Sequence, residues 1–387
     1  MRADLALIGF GNVGRRFARL LEEQRDTLRD CYDLDCRIVG ITTRNHGAAF
    51  SLRGEIDGVR AAELVESGGS LTALEHAGLP DPRNPRPVDS SDPRNPRPRL
   101  RPASADQGYG GQAAACIDLL ASSDADLRVV VETTTLDIRD GRPAIDHVEA
   151  ALNARCHVVT ANKGPVAFAY RRLAAMADQA GVSFLFEGAV MDGIPVFNLV
   201  RETLPAVTIL GFRGVVNSTT NHILTALENG EELAPALEHM QAAGIAEADP
   251  SLDVDGWDAA AKAAALANVL LDAAMTPHDV DRTGLSPDIG AHAREARASG
   301  RRLRLVASAR RGERPVVRPV ELPPDDLLAG LRGMANAIVF ETDLLGDVAI
   351  TQLDGSLTLT AYALLSDLVT VRQRHRAPIG ERPRRSP

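Results

Sequence analysis

At 387 residues the chain has room for about two to three domains, and a 44% apolar content with only 4% aromatics implies a large core built from Ala, Val, Leu and Ile. A formal net charge of −9 argues against nucleic acid as a partner, and there is no uninterrupted apolar run of the ~18 residues a membrane span needs. The cysteines at 31, 36, 116 and 156 show no C-x-x-C pair and no metal-ligand spacing, which fits a reducing cytosol, and Asp4 interrupts the early apolar stretch, so the expectation is a cytoplasmic protein without a signal peptide.

Residues 5–9 form a short apolar run that reads as a buried strand, followed by a glycine-rich turn and a helix carrying Val13, Phe17, Leu20 and Leu21. Residues 37–42, 128–132 and 157–160 read as further strands, with a crossover helix around 143–153. Strands alternating with helices imply an α/β fold, a Rossmann-type doubly wound parallel sheet. Residues 81–107 break the pattern. D-P-R-N-P-R-P occurs at 81–87 and again at 92–98, and proline-rich polar sequence of this kind reads as a disordered surface insertion. After residue 165 the chain reads as α+β. Residues 182–187 and 207–216 are predicted strands of a second sheet, and 220–228, 232–243 and 256–273 are predicted helices. Strands return near 303–309, 315–321 and 337–351, and Leu359 to Val371 reads as a helix.

The expected organisation is a nucleotide-binding domain at 1–165 completed by residues 355–372, a substrate and dimerisation domain at 166–335, and a flexible tail at 373–387.

Gly9-Phe10-Gly11-Asn12-Val13-Gly14 is a G-x-G-x-x-G turn that follows a strand and opens a helix. The glycines let the backbone turn tightly and approach a pyrophosphate, and the helix N-terminus offers unpaired N–H donors. At the end of the second predicted strand stands Thr42-Thr43-Arg44-Asn45-His46. The acid expected for ribose hydroxyls is missing there and Arg44 can meet a 2′-phosphate, which favours NADP over NAD.

Of 43 basic residues only two are lysines, Lys163 in T-A-N-K-G-P and Lys262 in D-V-D-G-W-D-A-A-A-K. An ammonium is compact and can lose its proton when desolvated, whereas a guanidinium stays charged, so these two lysines are candidates for proton transfer. Asp258 and Lys262 are four apart on a predicted helix and share one face. A plain surface ion pair would have the same spacing.

T-A-N-K-G-P (160–165), E-G-A-V-M-D-G-I-P (187–195), N-S-T-T-N-H-I-L (217–224) and A-E-A-D-P-S-L-D-V-D-G-W-D-A-A-A-K (246–262) follow one another in the chain. Together they resemble the homoserine dehydrogenase family, over residues 5–80 and 125–285 and again at 359–371. The resemblance implies NAD(P)(H)-dependent interconversion of L-aspartate 4-semialdehyde and L-homoserine, in a homodimer. It implies that Lys262 and Lys163 point at the reacting oxygen or its proton path, which of them is the final acid staying open, and that Asp258 contacts the substrate and holds the lysines. It assigns Glu247 to the substrate's α-ammonium, with Asp253, Asn217, Thr219 and Gly244 beside the substrate. Gly9, Gly11, Asn12, Val13, Gly14, Arg44, Thr133, Thr134, Asn162 and Lys163 would meet the cofactor, with Thr135 closing that threonine run. Glu187 and backbone carbonyls of Val190, Asp192 and Ile194 would hold a monovalent cation such as Na+.

The chain departs from the family pattern at Ile245, at Met191-Asp192, at Ser218 and at Leu353-Asp354-Gly355-Ser356-Leu357. These departures keep open an alternative: a dehydrogenase of the same fold acting on another small hydroxy acid or aldehyde. A catalytically silent NADPH-binding protein is a third reading, against which the lysines and carboxylates argue. Little chain follows the last predicted helix, so feedback inhibition through a regulatory C-terminal domain is not expected.

Overall fold

The structure, a computed structural model, describes residues 1–51, 54–75, 109–242 and 250–376. The proline-rich insertion at 81–107, Gly244, Ile245 and Glu247, and the tail beyond 376 lie outside the described residues.

The first sheet contains β1 (Arg2–Ile8), β2 (Asp35–Thr42), β3 (Ala48–Phe50), β4 (Leu127–Glu132), β5 (His157–Thr160) and β6 (Phe184–Leu185), in the order β3-β2-β1-β4-β5-β6. All neighbours are parallel except β2 and β3. Helices cover both faces, so Leu5, Leu7 and Val129 on one face and Ala6, Ile8 and Val130 on the other are all 0% exposed, and the strands read as continuous apolar runs rather than alternating ones. The register aligns Ile8 with Thr42 and Glu132, and Glu132 with Thr160. The loops that follow these four residues therefore open along one edge. The strand order reverses between β1 and β4, and a crevice forms at such a switch point.

The second sheet contains β7 (Ile209–Val215), β8 (Asp281–Arg282), β9 (Arg302–Arg310), β10 (Val316–Leu322), β11 (Asn336–Thr342) and β12 (Gly346–Gln352), in the order β12-β11-β7-β9-β10-β8. Its central pairs are antiparallel, and helices Ser218–Glu228, Trp257–Leu270 and Ile289–Ala298 pack on it.

Three expectations need correction. The strand read at 182–187 belongs to the first sheet, not the second, because helix Lys163–Ala180 is one more crossover that returns the chain parallel to β5. The run at 337–351 is a hairpin, β11 and β12, turned by Asp343 to Gly346 with Gly346 at φ +68. The last helix, Leu357–Arg376, extends into the stretch read as a tail. Its apolar face, Ala361, Leu364, Leu368 and Val371, is buried in one core cluster with β1 and helix Asn12–Glu23.

Candidate functional site

The glycine turn follows β1 directly. Gly9 has φ +86, and a Cβ there would stand 2.8 Å from Thr133 C and Thr134 N. A Cβ on Gly14 would stand 2.8 Å from the Gly9 carbonyl oxygen. Both positions therefore require glycine for packing. Gly11 is different: a Cβ there meets nothing within 4 Å, so the N-terminus of helix Asn12–Glu23 faces open space. Thr133 donates its hydroxyl to the Gly9 carbonyl at 2.6 Å and locks the turn against the end of β4. Asn162 caps helix Lys163–Ala180 through Gly164 N–H at 2.8 Å and donates its amide to the Thr134 carbonyl at 2.9 Å. These are the fittings a dinucleotide requires at a switch point: a backbone that can be approached closely and free N–H donors.

The two lysines come from different elements and meet at one carboxylate. Lys163 Nζ is 3.1 Å from Asp258 Oδ1, and Lys262 Nζ is 3.1 Å from Asp258 Oδ2. Lys262 also donates to the Val216 carbonyl, at the end of β7, at 2.6 Å. The meeting depends on the alanine-rich helix Trp257–Leu270, ten of whose fourteen residues are buried. Small side chains let helix Lys163–Ala180 approach closely, and the Asn268 amide bonds the Val166 and Ala167 carbonyls across the contact. Asp258 and Lys262 are thus only 15% and 14% exposed, which rules out a solvated surface pair. Asn217, the N-cap of helix Ser218–Glu228, donates its amide to Asp253 at 2.6 Å and to Asp258 at 2.8 Å.

The electrostatics follow from this packing. Burial pushes the Asp258 carboxyl up, but the ammonium groups of Lys163 and Lys262 outweigh it and hold the group well below the usual carboxylate range. Burial pulls Lys163 down, yet the charge and hydrogen bond of Asp258, with Asp192 and Asp253 behind it, leave its pKa above the ordinary lysine value. Asp253 is raised, by burial first and then by its like-charged neighbour Asp258.

A cleft of about 240 Å3 is lined by Val13, Thr133, Thr134, Lys163, Lys262, Val190, Asp192 and Thr360. It joins the glycine turn to the lysines. Two larger hollows of about 410 Å3, one by Arg25 and Glu55 and one by Arg310 and Glu341, contain none of the cofactor, substrate or catalytic residues expected from the sequence. Thr135 and Arg44 are exposed outside the cleft lining, and Thr219 lies in the first turn of helix Ser218–Glu228.

The 187–195 segment is tied in place by its own hydrogen bonds. Both Glu187 oxygens accept backbone N–H groups, from Phe197 and Asn198, each at 2.7 Å, and the Ile194 carbonyl accepts Val196 N–H at 2.8 Å. Burial, with Asp367 close by, pushes the Glu187 carboxyl up to about 7. Asp367 in turn accepts the Glu187 N–H at 2.8 Å. Asp192 has φ +47, and its carboxylate accepts Gln352 Nε2 at 3.0 Å and the Thr360 hydroxyl at 2.9 Å. Met191 is a core residue at 1% exposure. Sequence reasoning missed Val216, Gln352, Thr360 and Glu132. Val216 acts through its carbonyl and carries no side-chain signal, while Glu132 ends a valine run and read only as the end of a strand.

Comparison with known proteins agrees with this geometry. The sequence profile described as "Homoserine dehydrogenase" matches residues 195–369. The chain is 34% identical to the NAD(+)-dependent homoserine dehydrogenase of Pseudomonas canavaninivorans, over 95% of this chain and 96% of that one. It is 33% identical to the homoserine dehydrogenase of Methanocaldococcus jannaschii, over 95% and 98%. Among solved structures, a hyperthermophilic archaeal homoserine dehydrogenase in complex with NADPH superposes with TM-score 0.71 at 28% identity, covering 97% of this chain and 98% of that one. The homoserine dehydrogenase of Thiobacillus denitrificans gives TM-score 0.73 at 27% identity, covering 98% and 76%. A glycine turn and a half-buried two-lysine cluster sharing one cleft, together with relatives matched along nearly their whole length, mean that the chain belongs to the homoserine dehydrogenase family of NAD(P)-dependent oxidoreductases acting on a CH–OH group.

Proposed function

We infer that this cleft carries out its family's reaction, the reversible oxidation of L-homoserine to L-aspartate 4-semialdehyde. The observation that carries this reading is the convergence of Lys163 and Lys262 on Asp258 beside the glycine turn. A dinucleotide, when bound, supplies or accepts the hydride. The chain's own residues do the rest. One carboxylate holds both ammonium groups in place, and their positive charge favours negative charge growing on the substrate oxygen during reduction. An ammonium of the pair then gives that oxygen its proton, and in the oxidation direction takes it back. Asn217 bridges Asp253 to Asp258 and orients it, and by the family resemblance Glu247 would bind the substrate's α-ammonium, with Thr219 and Gly244 beside it. Purified protein is tested for L-homoserine oxidation by the absorbance of the reduced nicotinamide, with NADP+ and NAD+ in parallel. Turnover with either cofactor is expected. No turnover in protein that still binds NADPH would reject the substrate.

Relatives include both an NAD(+)-dependent enzyme and one with NADPH bound, so cofactor choice rests on this chain's own residues. NADP is favoured. Arg44 is exposed just past β2 and no acid occupies 42–46. A charge-assisted bond to a 2′-phosphate is worth ~1.5–3 kcal/mol, so Arg44→Ser is expected to lower kcat/KM with NADP+ about tenfold or more relative to NAD+. A monovalent cation fits the 187–194 segment better than a divalent one. The Glu187 carboxylate is occupied by two N–H groups and the remaining donors, at Val190 and Asp192, are carbonyls. The chain is read as a cytoplasmic homodimer. The hairpin tip Leu344-Leu345, 66% and 53% exposed, supports a second copy as partner, and light scattering tests it. No described helix is long and apolar enough to cross a membrane.

A further inference from the structure

Glu132 ends β4 with its carboxylate fully buried, and no step above uses it. Its oxygens are approached by three donors. Oε1 accepts the Thr134 N–H at 2.9 Å and the Thr134 hydroxyl, and Oε2 accepts the Thr160 hydroxyl at 2.8 Å. The Thr160 oxygen accepts Asn162 N–H at 3.0 Å, and the Asn162 amide returns to the Thr134 carbonyl at 2.9 Å. The bonds close into a ring that ties the end of β4 to the end of β5. Burying a carboxylate is costly unless its hydrogen bonds are met, and this ring meets them.

The ring has two outlets. Thr133, held between Glu132 and Thr134, bonds the Gly9 carbonyl and so fixes the glycine turn. Asn162 caps the helix whose first residue is Lys163. His147 Nδ1 stands 3.9 Å from Glu132 Oε1, beyond hydrogen-bond reach, so imidazole does not take the place of any ring member.

We propose that Glu132 is a positioning residue that sets the Thr133–Thr134 segment and Lys163 together, holding the dinucleotide's reacting end and the lysine cluster in one register. This rests on the function proposed above. The role is geometric rather than electrostatic. A glutamine can serve the same ring, its amide oxygen accepting from Thr134 and its NH2 donating to the Thr160 oxygen. The Thr160 hydrogen would then go wholly to the Glu132 backbone carbonyl, already 3.0 Å away. An alanine can do neither.

Glu132→Ala, Glu132→Gln and Thr160→Val are compared with the wild type in full-length protein, by NADPH titration followed in fluorescence and by steady-state L-homoserine oxidation. Glu132→Ala is expected to lower kcat by about 10²-fold, the cost of misplacing reacting groups by ~1 Å. Its NADPH affinity falls about tenfold while KM for homoserine changes less than kcat, since Lys262, Asn217 and Asp253 are held by other elements. Glu132→Gln recovers most of both losses. Thr160→Val, which keeps the core filled, falls between. A glutamine variant as damaged as the alanine one would overturn the geometric role, as would near wild-type behaviour of both Glu132→Ala and Thr160→Val. If Glu132→Ala does not fold, the glutamine and valine variants decide. If the wild type fails to oxidise homoserine, the proposed substrate is at fault, and the NADPH titrations still test the ring.

Discussion

Replacing Asp258 by asparagine keeps the shape of the side chain and removes a charge that both lysines share. Each lysine nitrogen is 3.1 Å from a different Asp258 oxygen. Opposite charges about 4 Å apart at an effective dielectric of ~20 attract by about 4 kcal/mol. That attraction is the upper limit of what Lys163 loses, because Asp192 and Asp253 remain and water enters the altered site, and the loss lowers its pKa. The direction is fixed by burial: without Asp258, desolvation favours the neutral amine. Reduction of the aldehyde uses the ammonium, so its rate falls as pH rises through the lysine pKa. In the wild type that value is raised and the rate holds well into the alkaline range. In Asp258→Asn the alkaline limb of kcat for L-aspartate 4-semialdehyde reduction moves to lower pH, and the rising limb of homoserine oxidation moves the same way. A lower kcat with the limb unmoved would refute the electrostatic argument and reduce Asp258 to a substrate contact.

Lys262→Ala removes a proton-transfer candidate bonded to Val216 and Asp258, and kcat should fall by ~10²–10⁴-fold with NADPH affinity retained, as read by fluorescence titration. Gly9→Ala places a Cβ 2.8 Å from the Thr133 backbone at φ +86. A left-handed alanine costs ~1–2 kcal/mol before the clash is counted, so the melting temperature should drop by several degrees and NADPH binding should weaken at least tenfold. Asp192→Gly relieves a strained φ worth ~1–3 kcal/mol but loses two bonds to a charged group, each worth ~1.5–3 kcal/mol. A net destabilisation of about 2 kcal/mol is expected from denaturant midpoints. A more stable glycine variant would show that the strain exceeds the two bonds.

The first sheet was largely legible because buried parallel strands are uninterrupted apolar runs and the glycine turn sits between one of them and a helix. The segment at 182–187 was not. A strand of two residues has no period, and its sheet is decided by the length and direction of helix Lys163–Ala180, which local pattern does not encode. The lysines could be picked out because arginine had replaced lysine everywhere else. What could not be read was that both would meet Asp258, since Lys163 and Asp258 are far apart in sequence and are joined only by helix packing. Glu132 stayed hidden for a related reason: its partners Thr134, Thr160 and Asn162 come together through strand register.

The helix Leu357–Arg376 lies against the first helix of the chain, with Arg16 Nε donating to the Thr358 hydroxyl at 3.0 Å and Arg372 bonding Asp33 at 2.7 Å. On the ribosome, residues 1–200 therefore emerge with an apolar flank still uncovered beside Leu5, Leu7 and Phe17, and it stays open until some 170 further residues have been translated. The cofactor-binding layer thus matures last, although most of it is made first. A nonsense codon between residues 186 and 356 would leave a sticky, unsealed sheet for the proteolytic machinery to find.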